Sequence, residues 1–313
     1  MLLLATAATA MPSPRVAVFG GSGFVGAAVC KALVLGGCSV LSVSRRGMRT
    51  PGRIRWNGET PTIAEEYEGE YWLDEVNWVE ADTTDRGAVE AALEGEALDG
   101  CVGCAGSPEL LKMSKDGWAG NLWSEESFRL CRETFAPNEH IFGAAAAAGA
   151  RRCAFMGVST DAERAYGGTN AGTFKGKRDA ADAARAAFGD GLVYFGPHQV
   201  VSADDARLKA LDSGWARGLI GLNRAIGEVG YRGEDFVTKV SLTPPVSVDE
   251  LATAIAATVT GAVAIEESER VVIVNEGGRD AEREISTVAK YVDGTEAIRR
   301  IAGLVAPPKA ASS

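Results

Sequence analysis

The residues best placed to do chemistry are glycines: Arg15-Val-Ala-Val-Phe-Gly-Gly-Ser-Gly-Phe-Val-Gly26. Gly21, Gly23 and Gly26 satisfy G-x-G-x-x-G, and Gly20, Gly23 and Gly26 satisfy G-x-x-G-x-x-G. A turn this tight needs residues without a Cβ, so that backbone N–H groups can approach a pyrophosphate. The following helix, Val25 to Leu35, points its positive dipole end at the same phosphates, and Gly36 and Gly37 stop it. With a strand before it and a helix after it, the motif reads as a dinucleotide-binding turn. The next strand, Ser39 to Val43, runs into Ser44-Arg45-Arg46. A site for NAD(H) puts a carboxylate near this point, on the ribose 2′-hydroxyl. Here the first acid of the chain is Glu59. Arginine pairs bidentately with a phosphate, so Arg45 and Arg46 favour NADP(H) over NAD(H). The alternative is a pair of solvated loop arginines.

The elements that must hold this turn alternate, strand and helix, from Arg15 to about Phe195. That is the pattern of an α/β Rossmann-type, doubly wound parallel sheet. Further strands are expected at Asn77 to Glu80, Leu98 to Cys104, Arg152 to Val158 and Leu192 to Phe195. Helices are expected from Thr84 and Asp85 to Leu93, Ser124 to Phe135, Asn138 to Ala148 and Lys177 to Phe188. The alanine-rich run before Ala148 reads as a helix packed closely on the sheet. Gly47 to Glu75 reads as an insertion at the adenosine end of the site. Beyond Gly196 the alternation weakens. Residues 196–305 read as C-terminal strands and helices with a small substrate-side lobe, including a helix Val248 to Val259 and a late strand Arg270 to Val274. Residues 306–313 read as a tail. Residues 1–14 read as a disordered or presequence-like start: too short to span a membrane, without the positive region of a secretory signal, and with Met11 as an alternative first residue.

The chain of 313 residues carries a net charge of −10, yet its first 58 residues hold seven Lys or Arg and no acid. An acidic body with a basic N-terminal part suits an anionic cofactor and argues against nucleic acid as a partner. The six cysteines are scattered. Cys101 and Cys104 resemble a metal or redox pair, but residues three apart on a strand face opposite sides. With two histidines, His140 and His198, no metal site is expected.

Further segments carry a family resemblance: Val18-Phe-Gly-Gly-Ser-Gly-Phe-Val-Gly26, the Ser-Arg-Arg after the second strand, Asp82, Val102-Gly-Cys-Ala-Gly106, Asn138, Phe155-Met-Gly-Val-Ser-Thr160, Gly176-Lys177-Arg178 and Leu242-Thr-Pro-Pro-Val-Ser-Val248. Together, over roughly residues 15–260, they resemble atypical short-chain dehydrogenase/reductases of the NAD-dependent epimerase/dehydratase superfamily. The Gly-Lys-Arg and Thr-Pro-Pro-Val segments resemble a mitochondrial and plastid subgroup that includes the coenzyme Q synthesis accessory protein. The NAD(P)H-binding accessory subunit of respiratory complex I is a more distant relative. The resemblance implies that Gly20, Gly23 and Gly26 hold the pyrophosphate, with Phe24 and Val25 shaping the turn and with Gly21, Ser22 and Ser44 also among the cofactor-binding residues. Arg45 and Arg46 would face the adenosine 2′ position, and Asp82 would contact the adenine. Ala105 and Gly106 would line the cofactor, and Lys177 would bind the nicotinamide ribose. Ser159, with Thr160 as the alternative, would polarise a substrate.

One departure from that family matters most. Its active members carry Y-x-x-x-K, in which the phenol transfers the proton and the lysine lowers its pKa. Here Thr173 stands four residues before Lys177. Tyr166 lies too far upstream for the spacing, though a loop could bring it in. The plainer readings are a solvated helix-start lysine for Lys177, a strand-end hydroxyl for Ser159 and a loop histidine for His198. The resulting expectation is a cofactor-binding protein with weakened or lost dehydrogenase chemistry. It would be accessory or redox-sensing in an organelle, a mitochondrion first and a plastid or the cytoplasm otherwise, with quinone (ubiquinone) metabolism and an organellar membrane-associated complex as context. The alternatives are an active NADP-dependent oxidoreductase on a small carbonyl or quinone, and a nucleotide-sugar epimerase or dehydratase.

Overall fold

The computed structural model describes residues 13–49, 67–106, 125–166, 171–202, 205, 208, 245–275 and 282–305. Strands β1 (Arg15–Phe19), β2 (Ser39–Ser44), β3 (Val76–Glu80), β4 (Gly100–Gly103), β5 (Arg152–Met156) and β6 (Leu192–Gly196) are parallel. A two-stranded pair, β7 (Val200–Val201) and β8 (Val246–Ser247), stands apart. Near the C-terminus, β9 (Ser268–Asn275) and β10 (Glu282–Asp293) form an antiparallel pair, and the last residues of β10 run parallel to β6. The order across the eight-stranded sheet is β3-β2-β1-β4-β5-β6-β10-β9. The chain reverses direction across the sheet between β1 and β4, the place where doubly wound sheets open a crevice at their carboxyl edge.

Alternation along the buried strands feeds two separate cores. Val16, Val18, Val102, Ala154 and Phe195 pack with α1 (Phe24–Leu35) on one face. Ala17, Phe19, Cys101, Cys153 and Phe155 point to the other, where Ile141 and Phe142 cover them. Cys101 and Cys104 accordingly fall on opposite faces. All six cysteines are free thiols, and among the described residues no cluster of His, Cys, Asp or Glu could hold a metal.

The short helix α2 (Arg86–Ala92) is capped by the Asp85 carboxylate, which accepts from the Ala88 N–H at 3.2 Å. The two helices expected over 124–148 are one, α3 (Glu125–Ala147), with Pro137 inside it. Proline removes a backbone donor and normally breaks a helix. Packing overrides it. On α5 (Ala171–Phe188), Gly172 and Gly176 bring two backbones together: a Cβ on Gly176 would stand 2.6 Å from the Cys131 carbonyl and 2.7 Å from Thr134 Cβ. Asn138 adds an amide bond to the Thr134 carbonyl at 2.7 Å. Between these helices in sequence lies the short α4 (Thr160–Tyr166), absent from the sequence reading. So are β10 and the final helix, α7 (Gly294–Val305). The helix α6 (Val248–Thr260) carries a complete capping box between Ser247 and Glu250. The expected insertion lies mostly outside the described residues, as do Leu242, Thr243, Pro244 and most of the substrate-side segment before Pro245.

Candidate functional site

The glycine turn sits at the carboxyl end of β1, and its glycines are required for different reasons. Gly20 has φ +80°, and a Cβ on it would stand 2.9 Å from the Cys104 carbonyl. On Gly21 a Cβ would strike the Ser42 side chain, and on Gly26 it would strike the Gly20 carbonyl. Those three are demanded by the fold itself. Gly23 is the least constrained: its backbone is extended (φ −81°, ψ 168°), and among the described residues a Cβ there meets the Gly20 carbonyl at 3.1 Å, a tight approach that needs a small shift rather than a clash. Gly23 is the N-cap of α1, which has no side-chain cap and no acid in its first turn. Among the described residues, therefore, neither a side-chain cap nor a first-turn carboxylate competes with an anion for the N–H groups at this helix start.

The neighbouring segments frame this turn. Ser22 Oγ donates to Ser44 Oγ at 2.7 Å, and both side chains are buried. Their hydroxyls hold the site together from beneath. Arg45 and Arg46 follow as exposed residues. Asp82, at the end of β3, accepts from the Thr84 backbone N–H at 2.9 Å and from the Thr84 hydroxyl at 2.8 Å. The Thr84 N–H holds its carboxyl below the usual range, with help from the Thr84 hydroxyl and the Arg45 charge. Beyond β4, Ala105 is buried, while among the described residues nothing stands within 4 Å of a Cβ on Gly106.

On the other side of the sheet's carboxyl edge, α5 directs Lys177 inward. Its ammonium donates to the Met156 carbonyl at 2.8 Å and lies 5.2 Å from the centre of the Phe155 ring. Burial lowers its pKa from 10.5 to about 8, offset in part by nearby Cys104. Lys177 is thus no solvated helix-start residue. Thr173, one turn earlier on α5, is buried. The Tyr166 side chain lies outside the described residues.

Ser159 is buried at the end of β5, where its Oγ accepts from the Ala162 N–H at 3.1 Å and caps α4. The same Oγ shares a 3.2 Å hydrogen bond with His198 Nδ1. Thr160 is engaged elsewhere: its hydroxyl donates to the Asp293 carboxylate at 2.5 Å. The Ser159–His198 contact joins the ends of β5 and β6. The sequence placed each residue after a strand but carried no sign of their pairing.

Residues 16–118 match the sequence model of the NAD dependent epimerase/dehydratase family. An uncharacterised chloroplastic protein of Arabidopsis thaliana is 38% identical over 100 residues, which span 32% of this chain and 28% of that protein. In solved structures, the fold is similar to a candidate epimerase from Burkholderia cenocepacia J2315, with a TM-score of 0.51 at 13% identity over 93% of this chain and 92% of that one. It is also similar to a short-chain dehydrogenase/reductase from Serratia marcescens BCRC 10948, with a TM-score of 0.50 at 19% identity over 78% of this chain and 89% of that one. Sequence and fold thus agree on an epimerase/dehydratase-like Rossmann architecture. Among the described residues no helix is long and apolar enough to cross a membrane.

Proposed function

We propose that this chain binds a nicotinamide dinucleotide, NADP(H) in preference to NAD(H), and that its own dehydrogenase chemistry is weak. The observation that carries the reading is Gly23, the turn glycine that its surroundings constrain least, at the start of α1, where no side chain caps the helix. The family model matched by residues 16–118 describes NAD-dependent proteins, which supports the same ligand. The turn from Gly20 to Gly26 would hold the pyrophosphate, and Arg45 and Arg46 a 2′-phosphate. Asp82, Ala105 and Gly106 would border the adenosine and ribose. The Lys177 ammonium would reach the nicotinamide ribose by exchanging its bond to the Met156 carbonyl. When bound, the dinucleotide supplies hydride transfer. Four residues before Lys177, where a phenol would serve as proton donor, Thr173 offers an aliphatic hydroxyl.

Such a protein is an accessory or redox-sensing module more than a fast catalyst. The chloroplastic relative favours a plastid over a mitochondrion. Quinone metabolism and association with an organellar membrane complex rest on the Gly176-Lys177-Arg178 and Thr-Pro-Pro-Val resemblance. Calorimetric titration with NADPH and NADH, followed by turnover assays on quinones, ketones and nucleotide sugars, tests the reading. Saturable binding with negligible turnover is expected. Absence of binding by either dinucleotide would refute it.

A second reading, an active reductase, is favoured by the Ser159–His198 hydrogen bond. An imidazole can deliver a proton that the Thr173 hydroxyl cannot. Turnover that survives Lys177→Ala but collapses in His198→Asn, with a changed pH profile, would support it. A nucleotide-sugar epimerase is compatible with the fold but not favoured, because it needs the same missing tyrosine.

A further inference from the structure

Ser44 is the junction of the three segments that frame the anion site. Its hydroxyl receives the Ser22 hydrogen bond at 2.7 Å, from the glycine turn. Its carbonyl accepts from the Ala81 N–H at 3.1 Å, one residue before Asp82. Its Oγ also faces the Gly47 carbonyl at 3.5 Å, across the loop that carries Arg45 and Arg46. One residue earlier, the Val43 carbonyl accepts from the Gly20 N–H at 2.8 Å. Ser22 and Ser44 are 0% and 6% exposed, so neither hydroxyl has water as a substitute partner. Two alanines would fill such a place without any polar requirement. A directional bond between hydroxyls instead fixes how far the turn lies from the start of the arginine loop.

We infer that Ser22 and Ser44 are positioning residues for cofactor choice: their mutual hydrogen bond sets the span between the pyrophosphate turn and the arginines that meet a 2′-phosphate. The inference rests on the cofactor reading above and deepens it. The pyrophosphate and the 2′-phosphate are covalently joined at a fixed separation. A protein with two anion anchors must hold those anchors at the matching distance, because a charge-assisted bidentate contact depends steeply on geometry. A dinucleotide with a plain 2′-hydroxyl uses only the first anchor and is indifferent to the second. Loosening the Ser22–Ser44 bond should therefore harm NADPH and spare NADH.

The experiment uses the full chain with Ser22→Ala, Ser44→Ala and the double variant. NADPH and NADH dissociation constants and thermal midpoints are measured for each. The single variants are expected to weaken NADPH by roughly 5–10-fold, the worth of one lost hydrogen bond, and NADH by less than about 2-fold. Ser44→Ala takes away the acceptor of the buried Ser22 hydroxyl, and Ser22→Ala leaves the Ser44 hydroxyl with the long 3.5 Å contact to the Gly47 carbonyl, so each single variant should melt earlier. The double variant leaves neither hydroxyl and should regain most of that stability, yet it should not regain NADPH affinity. Equal weakening of both dinucleotides would mark the pair as mere packing and overturn the inference. So would recovery of the NADPH preference in the double variant, which leaves the cofactor reading standing, or a wild type that binds both dinucleotides equally, which leaves dinucleotide binding standing but not the preference. A wild type that binds neither dinucleotide would overturn both.

Discussion

The Lys177 ammonium donates to the Met156 carbonyl at 2.8 Å, at the end of the strand next to the one that ends beside Cys104. This arrangement takes a charge away from water and gives it one backbone oxygen in return. The result is an amine with a pKa lowered from 10.5 to about 8, chiefly by burial. A lysine that titrates close to neutral pH can change charge during binding, which a solvated one cannot.

Its consequence for stability has a definite sign. The native pKa lies below the unfolded one, so between about pH 8 and 10.5 the unfolded chain holds more protons. Through this group the wild type becomes more stable as pH rises across that window, and below it the burial cost is constant. Lys177→Met removes the cost, on the order of 1–3 kcal/mol, but leaves the Met156 carbonyl unpaired. In urea unfolding from pH 7 to 10, the variant's stability relative to wild type should fall as pH rises. A difference independent of pH would show that Lys177 is not desolvated.

Arg45 and Arg46 bear on cofactor choice. Replacing both by alanine should weaken NADPH by about 10–100-fold, the loss of one or two charge-assisted contacts. NADH should change by less than about 2-fold, because it brings no phosphate to that point. Calorimetry at fixed ionic strength decides it. A wild type that prefers NADH, or a double variant with unchanged NADPH affinity, would rule out the arginine pair.

Asp82 qualifies that preference, since its ionised carboxylate interacts with Arg45. Asp82→Asn should release Arg45 and raise NADPH affinity relative to NADH by a few-fold, and more at low salt than at high salt. A ratio that does not move would mean that Arg45 plays no part in choosing the cofactor.

The glycines divide by what they meet. Gly26→Ala presses a Cβ onto the Gly20 carbonyl and the Gly21 backbone, so it should destabilise the fold by about 1–3 kcal/mol or more. Among the described residues Gly23→Val meets one carbonyl, at 3.1 Å. It should cost less stability than Gly26→Ala and abolish dinucleotide binding in a chain that still folds. If Gly23→Val binds normally, the turn is structural and the cofactor reading loses its support.

How much of this was legible in the sequence depends on the range of the interaction involved. β1, the turn and α1 were readable because glycine spacing and apolar alternation are local signals, and the same is true of β2 to β6. The difference between Gly23 and Gly26 was not, because it lies in what surrounds each Cα. The single helix α3 was hidden by Pro137, a local break signal that close packing of Gly172 and Gly176 overrides. β10 was missed because it mixes charged and apolar residues, and only Lys290 to Asp293 meet a neighbour in the parallel sheet. The Ser22–Ser44 and Ser159–His198 bonds join residues 22 and 39 positions apart, and no residue pattern announces them.

Thr173 gives the sharpest test of the functional reading. It stands one turn before Lys177 on α5, on the part of the helix packed against the core, and it is buried. Positioned acid–base help is typically worth about 10²–10⁴-fold in rate, and an alcohol cannot supply it near neutral pH. Thr173→Tyr places a phenol four residues before Lys177, whose charge would lower the phenol's pKa. The bulkier ring must displace neighbours, so thermal melting of the variant is measured first, beside Thr173→Phe as a control of equal bulk. If the site still admits a reactive substrate, Thr173→Tyr should raise NADPH oxidation with one of the quinones, ketones or nucleotide sugars above both wild type and Thr173→Phe. Loss of that gain in Thr173→Tyr with Lys177→Ala would show that the pair works as a unit. Robust wild-type turnover, undiminished by Thr173→Phe, would mean that the proton comes from elsewhere, and His198 beside Ser159 is then the first residue to replace.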